Sequence, residues 1–529
     1  MKRRDFFKQT LPASITLPAL INGFSVQAFT GSSPIVQALL GANADTDKVL
    51  VMIRLDGGND GLNMVIPIDT YSNYYNARAN IAIPQNKLLS LTGNSKTGLH
   101  PALTGLQSLY NDGKLSIIQS VGYPSPNFSH FRATDIWNSA SDSDKVVNTG
   151  WIGRYLNVEF PNFPTGYPTT QMPDPLAIQI GSVASLAFQG PTMPMAMTIS
   201  DPLSFYDFIN DTPDPAPTTP WGKELAYVRM IMNQTEKYSL VIKAAAEKIK
   251  SQGSYPANND LAAQLKIVSR LIAGGLKTRV YMVSTGGFDT HAGQVDSLDT
   301  TIGSHANLIR KVSDAIKSFM DDLKGLGTED RVVGYTYSEF GRRIKSNSSL
   351  GTDHGSAAPV FVFGKNVRSG IVGVNPEVPT GTKSNDNIPF QYDFRSIYAS
   401  IMKQWFCVND TELQTVMLKN FQDIPLFINA ACGATGIEDV NRGDGEQLIV
   451  NYPNPFVEST SITFNTKGGH TLVQIIDTMG RAIRTLTDKV YTSGTYTVSF
   501  DGHGLPLGVY YARFQNGATT QVRSMLKTR

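Results

Sequence analysis

Three apolar runs, 48–55, 278–284 and 331–337, each rich in β-branched residues, stop abruptly at a short segment that combines glycine with an acid or a histidine. Runs that are apolar at consecutive rather than alternate positions read as strands buried on both faces of a sheet. Segments of helical length, 257–276 and 294–323, precede the second and third runs. Strands alternating with helices predict an α/β domain: a mostly parallel sheet with helices on both faces. Such sheets bind ligands beyond the carboxyl ends of their strands. Asp56 in Asp56-Gly57-Gly58-Asn59-Asp60-Gly61, Asp289 and His291 in Gly287-Phe288-Asp289-Thr290-His291, and Glu339 in Ser338-Glu339-Phe340-Gly341-Arg342 are therefore expected on one rim. Gly351-Thr352-Asp353-His354-Gly355, just before the strand 359–363, is expected to join them.

One Asp-Gly or Asp-Thr-His alone is a turn or a cap. Four such groups at strand ends point to a site, and the residue types point to a divalent metal. Carboxylate oxygens neutralise the cation and neutral imidazole adds nitrogen affinity, which suits zinc, calcium, manganese or magnesium alike. Arg342 is a candidate to hold an anionic group or to serve as an ion-pair partner. His305, within the helical run 300–323, reads as a surface or packing residue, and His100 beside Pro101 as a helix start.

Of 529 residues, 41% are hydrophobic and 17% charged, enough for a sizeable core. The net charge of +2 leaves no basic field for a phosphate backbone, which argues against nucleic acid as a partner. Cys407 and Cys432, the only cysteines, exclude a four-sulfur metal site and allow one disulfide.

The ends have separate logic. Lys2-Arg3-Arg4 precedes an uncharged stretch, 9–28, interrupted by Pro12 and Pro18 and ending in Val26-Gln27-Ala28. Residues 1–28 resemble a twin-arginine signal, too short and broken for a membrane span, and 29–47 read as a leader. The polar run within 437–447 reads as a linker. Short alternating runs at 461–465, 471–477, 495–500 and 509–514, parted by turn residues, predict a small all-β sandwich over 448–529. Its motifs, Tyr452-Pro453-Asn454-Pro455-Phe456 and Asp477-Thr478-Met479-Gly480 among them, resemble a type A C-terminal sorting domain of the type IX secretion system. These resemblances imply export by the twin-arginine translocon to the periplasm. Passage by the type IX machinery to the outer-membrane surface or the medium, with removal of the tail, would follow.

Residues 55–63, Ser129-His130-Phe131, 287–291, 338–342 and 351–355 resemble the sulfatase-like family called domain of unknown function 1501, over about 48–427. That family is grouped with the alkaline phosphatase superfamily. The resemblance implies an alkaline-phosphatase-like domain over 48–436, with Asp56, Asp289, His291, Asp353 and His354 as metal ligands. Glu339 would be a further ligand or would orient a histidine. A nucleophile is also implied, and Ser129, after the strand 115–121 and before a helix opening at 131–137, is the candidate, with a helix cap as the plainer role. In that plainer case His130 is its packed neighbour. A Cys/Ser-x-Pro-x-Arg sulfatase signature is absent.

The implied function is metal-dependent hydrolysis of phosphate or sulfate esters, on a small anionic molecule or a polysaccharide. The alternative is a non-enzymatic surface or binding protein on the same fold. A serine esterase using Gly58-Asn59-Asp60 fits poorly, because the partner Asp-x-x-His is missing.

Overall fold

A computed structural model describes residues 19–21, 24–26, 47–202, 235–428 and 449–528, the last without 453–455, 467, 478–480 and 518. The signal, leader and linker segments and the proline-rich stretch 211–221 fall wholly or largely outside the described residues, as does Cys432. Cys407 is disulfide-bonded. Among the described residues no helix is long and apolar enough to cross a membrane. The chain divides into two compact units, the larger being Asp45–Cys432.

The larger unit is organised by a nine-stranded sheet. Its strands are β1 (Val49–Leu55), β2 (Leu115–Gly122), β3 (Ala177–Ile180), β4 (Ala196–Ile199), β5 (Val280–Thr285) and β6 (Val332–Tyr337). A two-stranded excursion follows, β7 (Gly341–Arg342) with β8 (His354–Gly355), and then β9 (Ala358–Gly364), β10 (Gly370–Val372) and β11 (Tyr392–Asp393). The order is β10-β2-β9-β6-β1-β5-β3-β4, with β11 beside β2. All neighbours pair in parallel except β9, which runs against both β6 and β2.

Every residue of β1 but Arg54 is buried, because both faces of the sheet are covered. Val49, Val51, Ile53 and Leu55 face a core built with the helices α1 (Thr104–Asn111), α4 (Asp260–Ala273) and α5 (Ser304–Gly325). Leu50 and Met52 face the opposite core, built with α2 (His130–Ser139), α3 (Trp151–Glu159), α6 (Phe394–Ser400) and α7 (Asp410–Met417). The predicted architecture is thus present. One element is shorter than its pattern suggests: the helix expected from 294 begins at Ser304. The polar groups of the preceding segment are otherwise engaged. Gln294 Nε2 donates to Asp60 Oδ2 at 2.6 Å, and Asp296 and Asp299 cap local turns.

The smaller unit is all-β. Its strands are β12 (Ile449–Tyr452), β13 (Ser459–Thr466), β14 (Gly469–Ile476), β15 (Ala482–Tyr491), β16 (Gly494–Asp501), β17 (Gly508–Asn516) and β18 (Thr519–Lys527). They form two antiparallel sheets, β12-β13-β16 and β15-β14-β17-β18. Burial alternates strictly along β13, and Phe464, Val473, Phe500 and Phe514 fill the core between the sheets.

Candidate metal centre

Because β1, β2, β5 and β6 share one direction, their carboxyl ends lie on one edge of the sheet. The segment before a strand would normally lie on the opposite edge. The reversal of β9 brings its amino end, and with it Asp353 and His354, to the same edge as the others. The loops that meet there touch backbone to backbone. A Cβ on Gly57 would lie 2.4 Å from the Asp289 nitrogen, with φ +123°, and one on Gly351 would lie 2.3 Å from the His291 oxygen.

Arg342 ties these loops together from within. Its side chain is fully enclosed and donates to the carbonyl oxygens of Gly58, Gly57, Phe288 and Thr352, and to Asp289 Oδ1 at 2.7 Å. Each of its three nitrogens therefore serves a protein oxygen, and the enclosed side chain turns none of them to solvent.

Three imidazoles surround Asp289. His354 Nε2 and His291 Nε2 each lie 3.1 Å from Asp289 Oδ1 and 3.0 Å from each other. His130 Nε2 lies 3.5 Å from Asp289 Oδ2. Ligand atoms of His130, Asp289 and His354 all fall within 4.8 Å of one another. Each ring is held at its other nitrogen. His130 Nδ1 meets Glu339 Oε1 at 2.8 Å, His291 Nδ1 meets Asp353 Oδ1 at 3.1 Å, and His354 Nδ1 meets the Phe128 carbonyl at 2.9 Å. A carbonyl or an ionised carboxylate only accepts, so each Nδ1 carries a proton, and Nε2 is the nitrogen that each ring turns toward Asp289. Phe340 packs on His354 and His130, with ring centroids 4.4 and 5.0 Å apart.

The consequence is electrostatic. Three imidazole Nε2 atoms and one carboxylate converge on the same spot. Burial keeps the His354 imidazole below its ordinary value, and so neutral. Burial is also the largest influence on Asp289 and opposes its charge, but Arg342 and the neighbouring imidazoles outweigh it and hold the carboxyl below its usual range.

The structure thus brings Asp289, His291, His354, Asp353 and Glu339 together, the last two against imidazole Nδ1 atoms. Asp56 sits at the rim but its carboxylate pairs with Arg54, whose Nη2 donates to Oδ2 at 3.1 Å. Ser129 stands exposed at the N-cap position of α2 with no side-chain capping bond, its backbone N–H donating to Asn127 Oδ1 at 2.9 Å. His130, which the sequence places as a packed neighbour only where Ser129 is a helix cap and does not offer as a ligand, is a member of the cluster. The signal that could have found it is the one used for the others: it follows a buried strand ending on the same edge.

Residues 222–406 match the family model described as "Protein of unknown function (DUF1501)", and residues 450–528 match "Secretion system C-terminal sorting domain". The first match contains Asp289, His291, Glu339, Asp353 and His354, but not Asp56, Ser129 or His130. No curated protein matches the sequence. Among solved structures the chain is similar to a sulfatase from Pseudoalteromonas sp., at 12% identity and TM-score 0.33, over 89% of this chain and 88% of that one. It is also similar to a protein in the alkaline phosphatase superfamily from Vibrio parahaemolyticus, at 9% identity and TM-score 0.33, over 94% and 92%. A third is a phosphonate monoester hydrolase of Agrobacterium radiobacter, at 9% identity and TM-score 0.31, over 86% and 89%. Residues 222–406 thus match the DUF1501 family, and the match of residues 450–528 to a secretion system sorting domain indicates export, through type IX machinery, to the cell surface or the extracellular space.

Proposed function

We propose that this chain is an exported, metal-dependent hydrolase of sulfate or phosphate esters. The observation that carries the reading is the arrangement of His130, His291 and His354, each pinned at Nδ1 and aiming Nε2 at Asp289. Metal-binding histidines are held in this way by carboxylates and carbonyls. The spacing also fits: bonds of about 2.1 Å at about 90–110° set neighbouring ligand atoms about 3.0–3.4 Å apart. His130, Asp289 and His354, whose ligand atoms lie within 4.8 Å of one another, would hold the ion, with His291 beside them on Asp289. A nitrogen-rich set favours zinc or another transition metal over magnesium or calcium, which take oxygen ligands.

What such an ion supplies when bound is Lewis acidity toward the ester oxygens. Glu339, Asp353 and the Phe128 carbonyl fix the imidazoles. Ser129 presents its hydroxyl at the first turn of α2, where backbone N–H groups favour an anion, and is the proposed nucleophile. About half of the His291, Asp289 and Asp353 side chains is exposed, and Phe131 beside His130 is 88% exposed. This openness supports an ester carried on a bulky molecule such as a polysaccharide as readily as a small one. Export through the twin-arginine translocon to the periplasm, before the type IX step, completes the proposed route.

A binding role without turnover is favoured by one observation: Arg342 spends its donors inside the protein and has none for a substrate anion. The test is elemental analysis of the purified chain beside Asp289→Ala and His354→Ala variants, with screening of aryl phosphates and sulfates. Bound metal that both variants lose is expected, with turnover that Ser129→Ala abolishes while keeping metal. Absence of metal after reconstitution overturns the proposal. Metal without turnover moves the reading to the binding role.

A further inference from the structure

We infer that the rim holds a single divalent cation, and that the Arg54 guanidinium occupies the place beside it where Asp56 and Glu339 would otherwise draw a second. The inference rests on the cation reading above. Arg54 pairs with Tyr337 across β1 and β6. Asp56 and Glu339 lie two residues beyond that pair on their respective chains, so strand alternation sets them side by side and on the same face as Arg54. Two neighbouring carboxylates next to His130 have the makings of an oxygen-rich second site.

Both acids are instead already matched. Arg54 Nη2 donates to Asp56 Oδ2 at 3.1 Å, and its Nε lies against Oδ1 without the alignment of a hydrogen bond, so one charge-assisted bond and close proximity hold the pair. Glu339 Oε1 accepts the Gly57 N–H at 2.9 Å and meets His130, while Oε2 accepts from Ser338 Oγ at 3.2 Å. Glu339 also acts electrostatically on both Arg54 and Asp56, so the three charges form one group. The balance of the charged side chains paired within the cluster points the same way. Asp56, Asp289, Glu339 and Asp353 against Arg54 and Arg342 leave two negative charges. One divalent cation neutralises them, whereas a second would leave the rim as positive as it began negative.

The test is a zinc titration of the full chain by calorimetry, checked by elemental analysis after dialysis. Wild type should bind one equivalent. Arg54→Gln, which removes the charge, should bind two, and adding Asp56→Asn to it should return the count to one. Arg54→Lys keeps the charge and should stay at one, with thermal melts reporting whether each variant is folded. Two equivalents in wild type, one of them lost in Asp56→Asn, would overturn this inference and leave the cation reading intact. A folded Arg54→Gln that binds only one equivalent would also overturn it. No zinc in wild type would instead remove the cation reading itself.

Discussion

At the residue scale the decisive group is Glu339, a buried carboxylate that serves the His130 ring and the Gly57 amide with one oxygen. Its charge fixes the proton on His130 Nδ1 and so frees Nε2. Glu339→Gln keeps the shape but replaces one acceptor by a donor, and the ring loses its reason to hold that tautomer. Zinc affinity in a competition titration should fall by about 10- to 100-fold, the usual effect of losing such a partner, with the fold retained. An unchanged affinity would assign Glu339 to loop packing alone. The same residues show what the sequence could tell. Asp289, His291 and His354 were legible because each lies in a glycine-containing stretch bordering a predicted strand. His130 was not, because on the first turn of a helix each residue points about 100° from the next. A Ser-His-Phe string does not say which of the three faces the sheet edge. Asp56 was equally visible, yet its partner Arg54 two residues earlier drew no notice, since the run around it reads as plain core strand.

At the element scale the strands were legible as buried runs, whereas their directions were not, because hydrophobic pattern is the same read forward or backward. The clue to β9 lies in its connection. Parallel neighbours need a crossover, usually a helix, and 338–357 offers only the β7–β8 excursion before the chain returns beside β6. That return delivers His354 to the rim. The loops must then interlock, which rests on glycine at closed positions. Gly57→Ala has a backbone nitrogen 2.4 Å from the new Cβ, while Gly113, also at positive φ (+76°), has nothing within 4 Å. Both substitutions strain the backbone, at a cost of about 1–3 kcal/mol, and at Gly57 the clash adds to a φ that alanine adopts less readily than that of Gly113. Gly57→Ala should lower the melting temperature more than Gly113→Ala and should alone weaken zinc binding. Equal melting shifts would mean that the β1 and β5 loops part without penalty.

At the scale of the larger unit, a buried polar layer under the rim ties its segments together and gives it a pH dependence. Asp60 is enclosed with Arg78 at 2.8 Å and accepts from Gln294, and His305 Nε2 faces Asn59 Oδ1 at 3.0 Å. Burial is the largest influence on His305. Asp60 favours the charged ring and Arg342 and Arg78 oppose it, leaving the group at about 4, against an ordinary 6.5. His100 is lowered to about 3, again mainly by burial. In the unfolded chain both rings take up protons below about pH 6.5, while in the folded protein they do not until pH 4 or lower. Proton uptake therefore favours unfolding across that interval, and stability falls as pH drops from about 6.5 to about 3. Below its ordinary range Asp60 adds to the loss. Burial opposes its charge, but Arg78 and the other partners hold it ionised in the folded state. For His305 the effect is on the order of 3 kcal/mol. The larger unit should accordingly melt at steadily lower temperature over that range. His305→Gln, which keeps a polar atom for Asn59 and removes the titration, should flatten the upper part of the profile between about pH 6.5 and 4. A variant whose melting temperature follows pH as steeply as wild type would show that the acid sensitivity lies elsewhere, with the imidazoles of the rim the next group to replace.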